Sequence, residues 1–376
     1  MAVLTEEQTM LRDAARSWSQ ESSPVTVFRK LRNDRVPGGF KRETWKEMAD
    51  MGWAGIVIPE AYGGVGMGYE TLGLVLEETG RTLTASALVS TALCAASALV
   101  LGGTEQQKQT WLTKIASGDA IGTLAIDESH HHNPLHVKLE AKRAGEGWTL
   151  SGMKRFVLDG GLADFFIVSA QTSAKTANGI TLFLVPGNAS GVSKQALVMA
   201  DSRGMADVSF DNVKVSAADV LGQVDHGLQI LEPTLDRARA GLAAEMLGTA
   251  TQAFETTLEY LKTRTQFGRL IGTFQALQHR AGKMFVDLEL GRSCVEAALK
   301  AIDDNAPNAS TLVSLAKARL SDTIHLVTNE MVQMHGGIGM TDEHDAGLYI
   351  KRARVAEATF GSAGFHRDRY ARAMGF

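Results

Sequence analysis

Two glycine-bearing breaks in a long helical pattern constrain this chain more than any other feature. The first lies in the run Leu261–Leu290, LKTRTQFGRLIGTFQALQHRAGKMFVDLEL. There an Arg264-Thr265-Gln266-Phe267-Gly268 turn is followed by Ile271-Gly272-Thr273-Phe274-Gln275 and then by a helix-type pattern. The second is Gln333-Met334-His335-Gly336-Gly337-Ile338-Gly339-Met340. Its glycines are too dense for a helix interior, yet both flanks have helical periodicity. A forked guanidinium such as Arg264 suits phosphate. Gly268, Gly336 and Gly337 let a backbone approach a ligand closely. Two such turns, one with Arg and both with Gln, can hold a pyrophosphate through backbone N–H groups and side-chain amides.

The rest of the composition narrows the class. A chain of 376 residues has room for two or three domains and a sizeable core. A net charge of −4 argues against a nucleic-acid surface, which needs a basic stripe. Two cysteines, Cys94 and Cys294, imply no disulfide framework and fit a reducing compartment, so a cytoplasmic location is expected. The N-terminal segment starts as an amphipathic helix with acids near its start and has no basic-then-apolar signal pattern. The apolar run near Leu83–Leu101 carries Thr84, Ser86, Ser90, Thr91 and Ser97, which makes it a buried helix rather than a membrane span.

The texture changes twice along the chain. Residues 1–118 have helical patterns, including Thr44–Met51, Glu70–Thr79 and a segment opened by Thr104 as an N-cap. Residues 119–223 hold short runs between turn signals: Thr149–Gly152, Phe165–Ala170, Ile180–Val185 and Asp207–Val213. These are expected strands of a small β-barrel or sandwich. Residues 224–376 are helical again, with Pro233 placed in a first helical turn and a loop at Asp303–Asn308. The expected fold class is α+β: helical domain, β domain, C-terminal helical bundle.

At Arg-x-x-Phe-Gly…Gln and Gln-x-x-Gly-Gly-x-Gly the chain resembles the acyl-CoA dehydrogenase family of flavoproteins. Within it, the closest resemblance is to the small subunits of bacterial two-component enzymes, pimeloyl-CoA and steroid side-chain types. The resemblance covers nearly the whole chain and implies FAD as cofactor, an acyl-CoA substrate and an electron-transfer flavoprotein as electron acceptor. It implies that Arg264, Phe267, Gly268, Gln275, Gln333, Gly336 and Gly337 contact FAD. It also implies that Asp236 and Arg239, in Leu235-Asp236-Arg237-Ala238-Arg239, contact CoA; without the resemblance they are a helix-start acid and a surface charge.

The family's chemistry needs a Glu that removes the α-proton while the β-hydrogen leaves as hydride. Both positions that supply it in the family are changed here, to Ala238 and Phe360. Glu245 lies seven residues after Ala238, on the same helical stripe and ~10 Å along the axis. It is either a replacement base or a structural carboxylate paired with a cation. Glu357 is a weaker alternative. The family's flavin-ring loop is replaced by Asp127-Glu128-Ser129-His130-His131-His132-Asn133-Pro134, and its Trp-x-Thr strand by Phe156-Val157-Leu158. An ionised Asp127 offers only acceptors to the flavin carbonyls. Three consecutive histidines alternate in direction along an extended chain, so no metal site is expected.

The retained half of the cofactor site is therefore the half that family members donate to a neighbouring subunit. The leading expectation is a subunit of a heterotetrameric dehydrogenase that shares FAD with a related, Glu-bearing partner. A homotetramer using Glu245, a non-catalytic interaction chain and a flavin monooxygenase on the same fold are the alternatives.

Overall fold

A computed structural model describes residues 4–173 and 179–376. In chain order the helices α1 (Glu6–Glu21), α2 (Val25–Asn33), α3 (Arg42–Asp50) and α4 (Gly68–Arg81) come first. A π-helical stretch, Leu88–Ala95, continues as α5 (Ala96–Gly102), and α6 (Glu105–Ala116) follows. Then come β1 (Gly122–Ala125), β2 (Glu140–Ala144), β3 (Gly147–Leu158), β4 (Phe165–Gln171), β5 (Ile180–Pro186), β6 (Val192–Leu197), β7 (Met205–Val215) and β8 (Val220–Leu221). The C-terminal part comprises α7 (Leu228–Thr263), a hairpin of β9 (Thr265–Gln266) and β10 (Arg269–Leu270), α8 (Gln275–Asp303), α9 (Ala309–His335), α10 (Ala346–Ala358) and α11 (Ala363–Ala373).

The chain divides into two compact units. One comprises Met1–Lys30, Tyr69–Thr84 and Arg239–Phe376. It is built of helices whose ends the sequence marks locally. Thr5 and Gln8 form a reciprocal capping box at the start of α1. Asp303 accepts the Tyr69 and Glu70 N–H groups at 2.8 Å each, which satisfies the open end of α4. The crossing of α4 and α7 depends on two glycines. A Cβ on Gly80 would lie 2.3 Å from the Glu245 carbonyl oxygen, and one on Gly248 would lie 1.8 Å from that of Glu77. Any larger residue at either position pushes the two helices apart.

The other unit comprises Leu31–Gly68 and Ala85–Ala238. Its strands run β6-β7-β3-β2-β4-β5-β8, with β1 parallel to β4. Two antiparallel halves, β6-β7-β3-β2 and β4-β5-β8, are joined by a single parallel pair, Glu140 with Gln171. Leu150, Phe166, Phe183, Val208 and Phe210 form its core with Trp148. Phe166 meets Phe210 edge-on with centroids 6.1 Å apart, a favourable quadrupole arrangement. The four runs expected as strands fall in β3, β4, β5 and β7.

The placement of Pro233 needs correction. It lies inside α7, which begins at Leu228, rather than in the first turn. The missing proline N–H leaves the Gln229 carbonyl without its helical donor. Gln229 is exposed, on the solvent side of the helix, and the helix continues through the proline. The apolar run before α6 is largely buried, but it is helical only from Leu88: residues 83–87 form an irregular turn, and Leu88–Ala95 is π-helical.

Candidate functional site

The Arg264–Gln275 segment forms a hairpin between α7 and α8, not a simple helix-to-helix turn. Gln266 pairs with Arg269, and Phe267 and Gly268 form the two-residue loop. Both loop residues have positive φ, +54° and +75°, as a type I′ turn requires. Glycine accepts this freely. An aromatic residue held there stores strain of about 1 kcal/mol or more, an observation that points to function. The Phe267 side chain is 91% exposed. Its ring meets Phe274 edge-on at 6.1 Å, and the Arg269 guanidinium lies 4.1 Å from the Phe274 ring centre. Arg264 and Gln275 are exposed on the same segment. Gln275 opens the 29-residue helix α8, whose N-terminus has no side-chain cap. Its first N–H groups and the positive end of the helix dipole are open to an anion.

The second turn follows α9. Gln333, Gly336 and Gly337 are exposed. Gly336 has φ +62° and ψ −135°, a combination essentially closed to residues with a Cβ. Nothing lies within 4 Å of a Cβ built on either glycine, so the turn is bare backbone facing open space. Tyr260 and His335 connect this turn to the hairpin. Their rings stack with centroids 4.3 Å apart, and Arg264 N–H donates to the Tyr260 carbonyl at 2.9 Å.

Phe360, expected from the resemblance to stand where the family places a base, is an apolar side chain on a tightly held backbone. Phe360 has φ +56°. Its carbonyl accepts Arg239 Nε at 3.3 Å and lies 3.1 Å from His366 Nε2. Lys317 Nζ, fully buried, donates to the carbonyls of Ala356, Glu357 and Gly361 at 3.1, 3.2 and 3.0 Å. These cap the C-terminal end of α10. Burial pulls the Lys317 ammonium down to about 7, against the raising influence of Glu357. Burial, reinforced by Lys317 and Arg239, pulls His366 down to about 2, so its ring is neutral.

Arg239 is 0% exposed, and its guanidinium lies 5.5 Å from the Phe365 ring centre. In this structure the guanidinium is sealed from the surface and engaged with the Phe360 backbone carbonyl. Asp236 is buried as well, and Ala238 is fully buried. Glu245 is 5% exposed, and its Oε1 lies 3.7 Å from Nη1 of buried Arg352. Glu357 pairs with Arg354 at 2.6 Å.

In the sheet unit, the loop expected at the flavin ring satisfies itself. Asp127 Oδ2 lies 2.8 Å from His132 Nδ1, and Oδ1 accepts the Asn133 N–H at 3.0 Å. Glu128 accepts the N–H groups of Lys138 and Leu139. It also pairs with Lys154 Nζ at 2.7 Å, while that ammonium donates to Ser169 Oγ at 3.0 Å. Burial brings Lys154 down to about 8, with Glu128 opposing. Leu158 is buried and has no hydroxyl to offer. Of the three histidines, His132 faces Asp127, His130 lies near the Phe156 ring at 5.8 Å, and His131 is exposed. Among the described residues no group of three His, Cys, Asp or Glu is placed to hold a metal ion. No helix among them is long and apolar enough to cross a membrane.

Lys317, His366 and Lys154 did not stand out in the sequence. A lysine among Val313, Ala316 and Leu320 on one helical stripe was the available signal for the first.

The two halves of the expected FAD site thus differ in fit. The pyrophosphate end has an exposed guanidinium, two amides, an uncapped helix N-terminus and bare glycine backbone, a donor set suited to a diphosphate. The ring end has a carboxylate with both oxygens already engaged.

Comparison with known proteins agrees with this fold. The acyl-CoA dehydrogenase N-terminal, middle and C-terminal domains match residues 5–119, 127–213 and 225–375. Isovaleryl-CoA dehydrogenase of Pongo abelii is 32% identical over 380 residues, spanning 97% of this chain and 88% of that protein. Butyryl-CoA dehydrogenase from Megasphaera elsdenii has a similar structure, with a TM-score of 0.93 at 26% identity, covering 100% of this chain and 99% of the other. The ChsE4-ChsE5 complex from Mycobacterium tuberculosis contains a chain with a TM-score of 0.90 at 28% identity, covering 100% and 99%. The chain belongs to the acyl-CoA dehydrogenase family of FAD-dependent oxidoreductases.

Proposed function

We propose that this chain is a subunit of a heteromeric acyl-CoA dehydrogenase, lending the pyrophosphate end of an FAD site to a partner that carries the catalytic Glu. The observation that carries the reading is the contrast within one chain. The hairpin and glycine turn are exposed and open. The base position holds Phe360.

In this reading Arg264 pairs with the diphosphate, Gln275 and Gln333 supply amides, and Gly336 and Gly337 admit the backbone. Phe267 and Gly268 form the tip that reaches the neighbour. Bound FAD would supply the hydride acceptor for the β-hydrogen of the thioester. The α-proton requires a carboxylate held above its usual range, which this chain does not provide at Ala238 or Phe360. Glu245 is read as structural because it is buried against Arg352. Arg239 holds the Phe360 backbone rather than substrate. The product is an α,β-unsaturated CoA thioester, and the electrons pass on to an electron-transfer flavoprotein. The two-chain name of the ChsE4-ChsE5 complex favours a heteromer.

The test is Arg264→Ala in this chain, co-expressed with a Glu-bearing homologue. Loss of flavin and of turnover from an assembled complex supports the reading. Unchanged turnover reduces this chain to a scaffold.

A further inference from the structure

The hairpin and the glycine turn lie on different helices, and a binding site built from both needs a fixed distance between them. On the reading that they hold FAD, we propose that Tyr260 and His335 are positioning residues whose stacked rings set that distance. Tyr260 lies one helical turn before Arg264, whose N–H donates to its carbonyl at 2.9 Å. His335 immediately precedes Gly336. The rings are 4.3 Å apart at an interplanar angle of 30°, and Tyr260 Oη donates to the His335 carbonyl at 3.4 Å. His344 continues the column, its ring centre 4.3 Å from that of His335. A displacement of about 1 Å at either turn is enough to spoil a convergent set of donors.

The column is built for neutral rings. His335 is 3% exposed, and its Nδ1 lies 2.7 Å from the Met331 carbonyl, which makes Nδ1 the protonated nitrogen. Its Nε2 is a buried lone pair with no hydrogen-bond partner among the described residues. His344 Nδ1 accepts the Ala346 N–H at 3.1 Å. Asp345 lies beside His344 and is itself paired with Arg29 Nη2 at 2.6 Å. His335 faces Tyr260 and the Met331 carbonyl. Burial lowers both histidines from their ordinary value. A proton on either ring places a cation in the desolvated column, and the two imidazolium rings repel one another if both take one up.

The test is the FAD dissociation constant of the full chain in its native assembly, read by flavin fluorescence. Tyr260→Leu removes the stack and is expected to weaken FAD about tenfold, whereas Tyr260→Phe stays within about twofold. Wild-type affinity is expected to fall on the acid side of the ordinary histidine range, and His335→Phe, which stacks but takes no proton, removes that fall. Arg264→Ala serves as the control. If Arg264→Ala weakens FAD and Tyr260→Leu does not, the positioning role is wrong and the cofactor reading stands. If Arg264→Ala has no effect, the cofactor reading itself is wrong. Equal losses in Tyr260→Phe and Tyr260→Leu assign the effect to the hydroxyl and overturn the stack. If Tyr260→Leu does not fold, the acid profile decides: the same profile in wild type and His335→Phe overturns the proposal.

Discussion

Glu245 and Arg352 face one another across 3.7 Å inside the helical unit, with side chains only 7% and 1% exposed. Arg352 also lies 5.2 Å from the Phe28 ring centre, so its cation has an acid on one element and an aromatic face on another. Removing one member of a buried pair strands the other charge. Glu245→Gln is expected to destabilise the protein by about 3 kcal/mol, read as a lower urea midpoint, while turnover per bound flavin is unchanged. Intact stability with abolished turnover would make Glu245 the base.

Arg239 supports a second prediction. Its Nε donates to the Phe360 carbonyl, and no part of it reaches the surface. Arg239→Met is expected to lower the thermal midpoint and to leave the Michaelis constant for an acyl-CoA unaltered. A raised Michaelis constant at full stability would return Arg239 to the CoA site.

His366 gives the protein an acid sensitivity of defined sign. Its folded value is drawn down to about 2, below that of a free imidazole. The unfolded chain therefore binds a proton that the folded chain refuses. The neutral ring's contribution is complete above about pH 6.5 and is lost progressively as pH falls toward the folded value. At pH 5 the loss is about 2 kcal/mol. His366→Gln, which keeps a donor for the Phe360 carbonyl, should flatten denaturation midpoints between pH 7 and pH 5. A wild-type profile no steeper than that of the variant would contradict this.

Lys317 carries the end of α10. Its ammonium meets three carbonyls, Ala356, Glu357 and Gly361. Lys317→Met fills the space but leaves those acceptors buried, at a cost of about 3 kcal/mol. Equilibrium unfolding in urea measures it, and a change within experimental error would remove Lys317 from the account.

The order of helices, strands and helices was legible in the sequence because periodicity is a local property. Phe165–Gln171 and Ile180–Pro186 are short apolar runs between turn signals and are strands in the structure. β6, SKQ-rich and largely exposed, has no apolar face to reveal it, and β2 is mostly charged. The hairpin tip was visible as a motif, but its turn type was not. Type I′ turns announce themselves with Asn-Gly, and here Phe267 takes the strained position. The buried cations were hidden for a different reason. Lys317 and Gly361 are 44 positions apart, and Arg239 and Phe360 are 121 apart. A sequence alone does not pair a cation with a carbonyl at that distance. The contact of Arg239 with the Phe360 backbone is one that its place in the sequence does not reveal.

The most direct measurement is the amount of FAD per chain, taken with the oligomer mass. The chain is purified alone with excess FAD and, separately, after co-expression with a Glu-bearing homologue. The account predicts little or no flavin on the chain alone, and a coloured, active complex on co-expression. One tightly bound FAD per chain in an active homotetramer would contradict it.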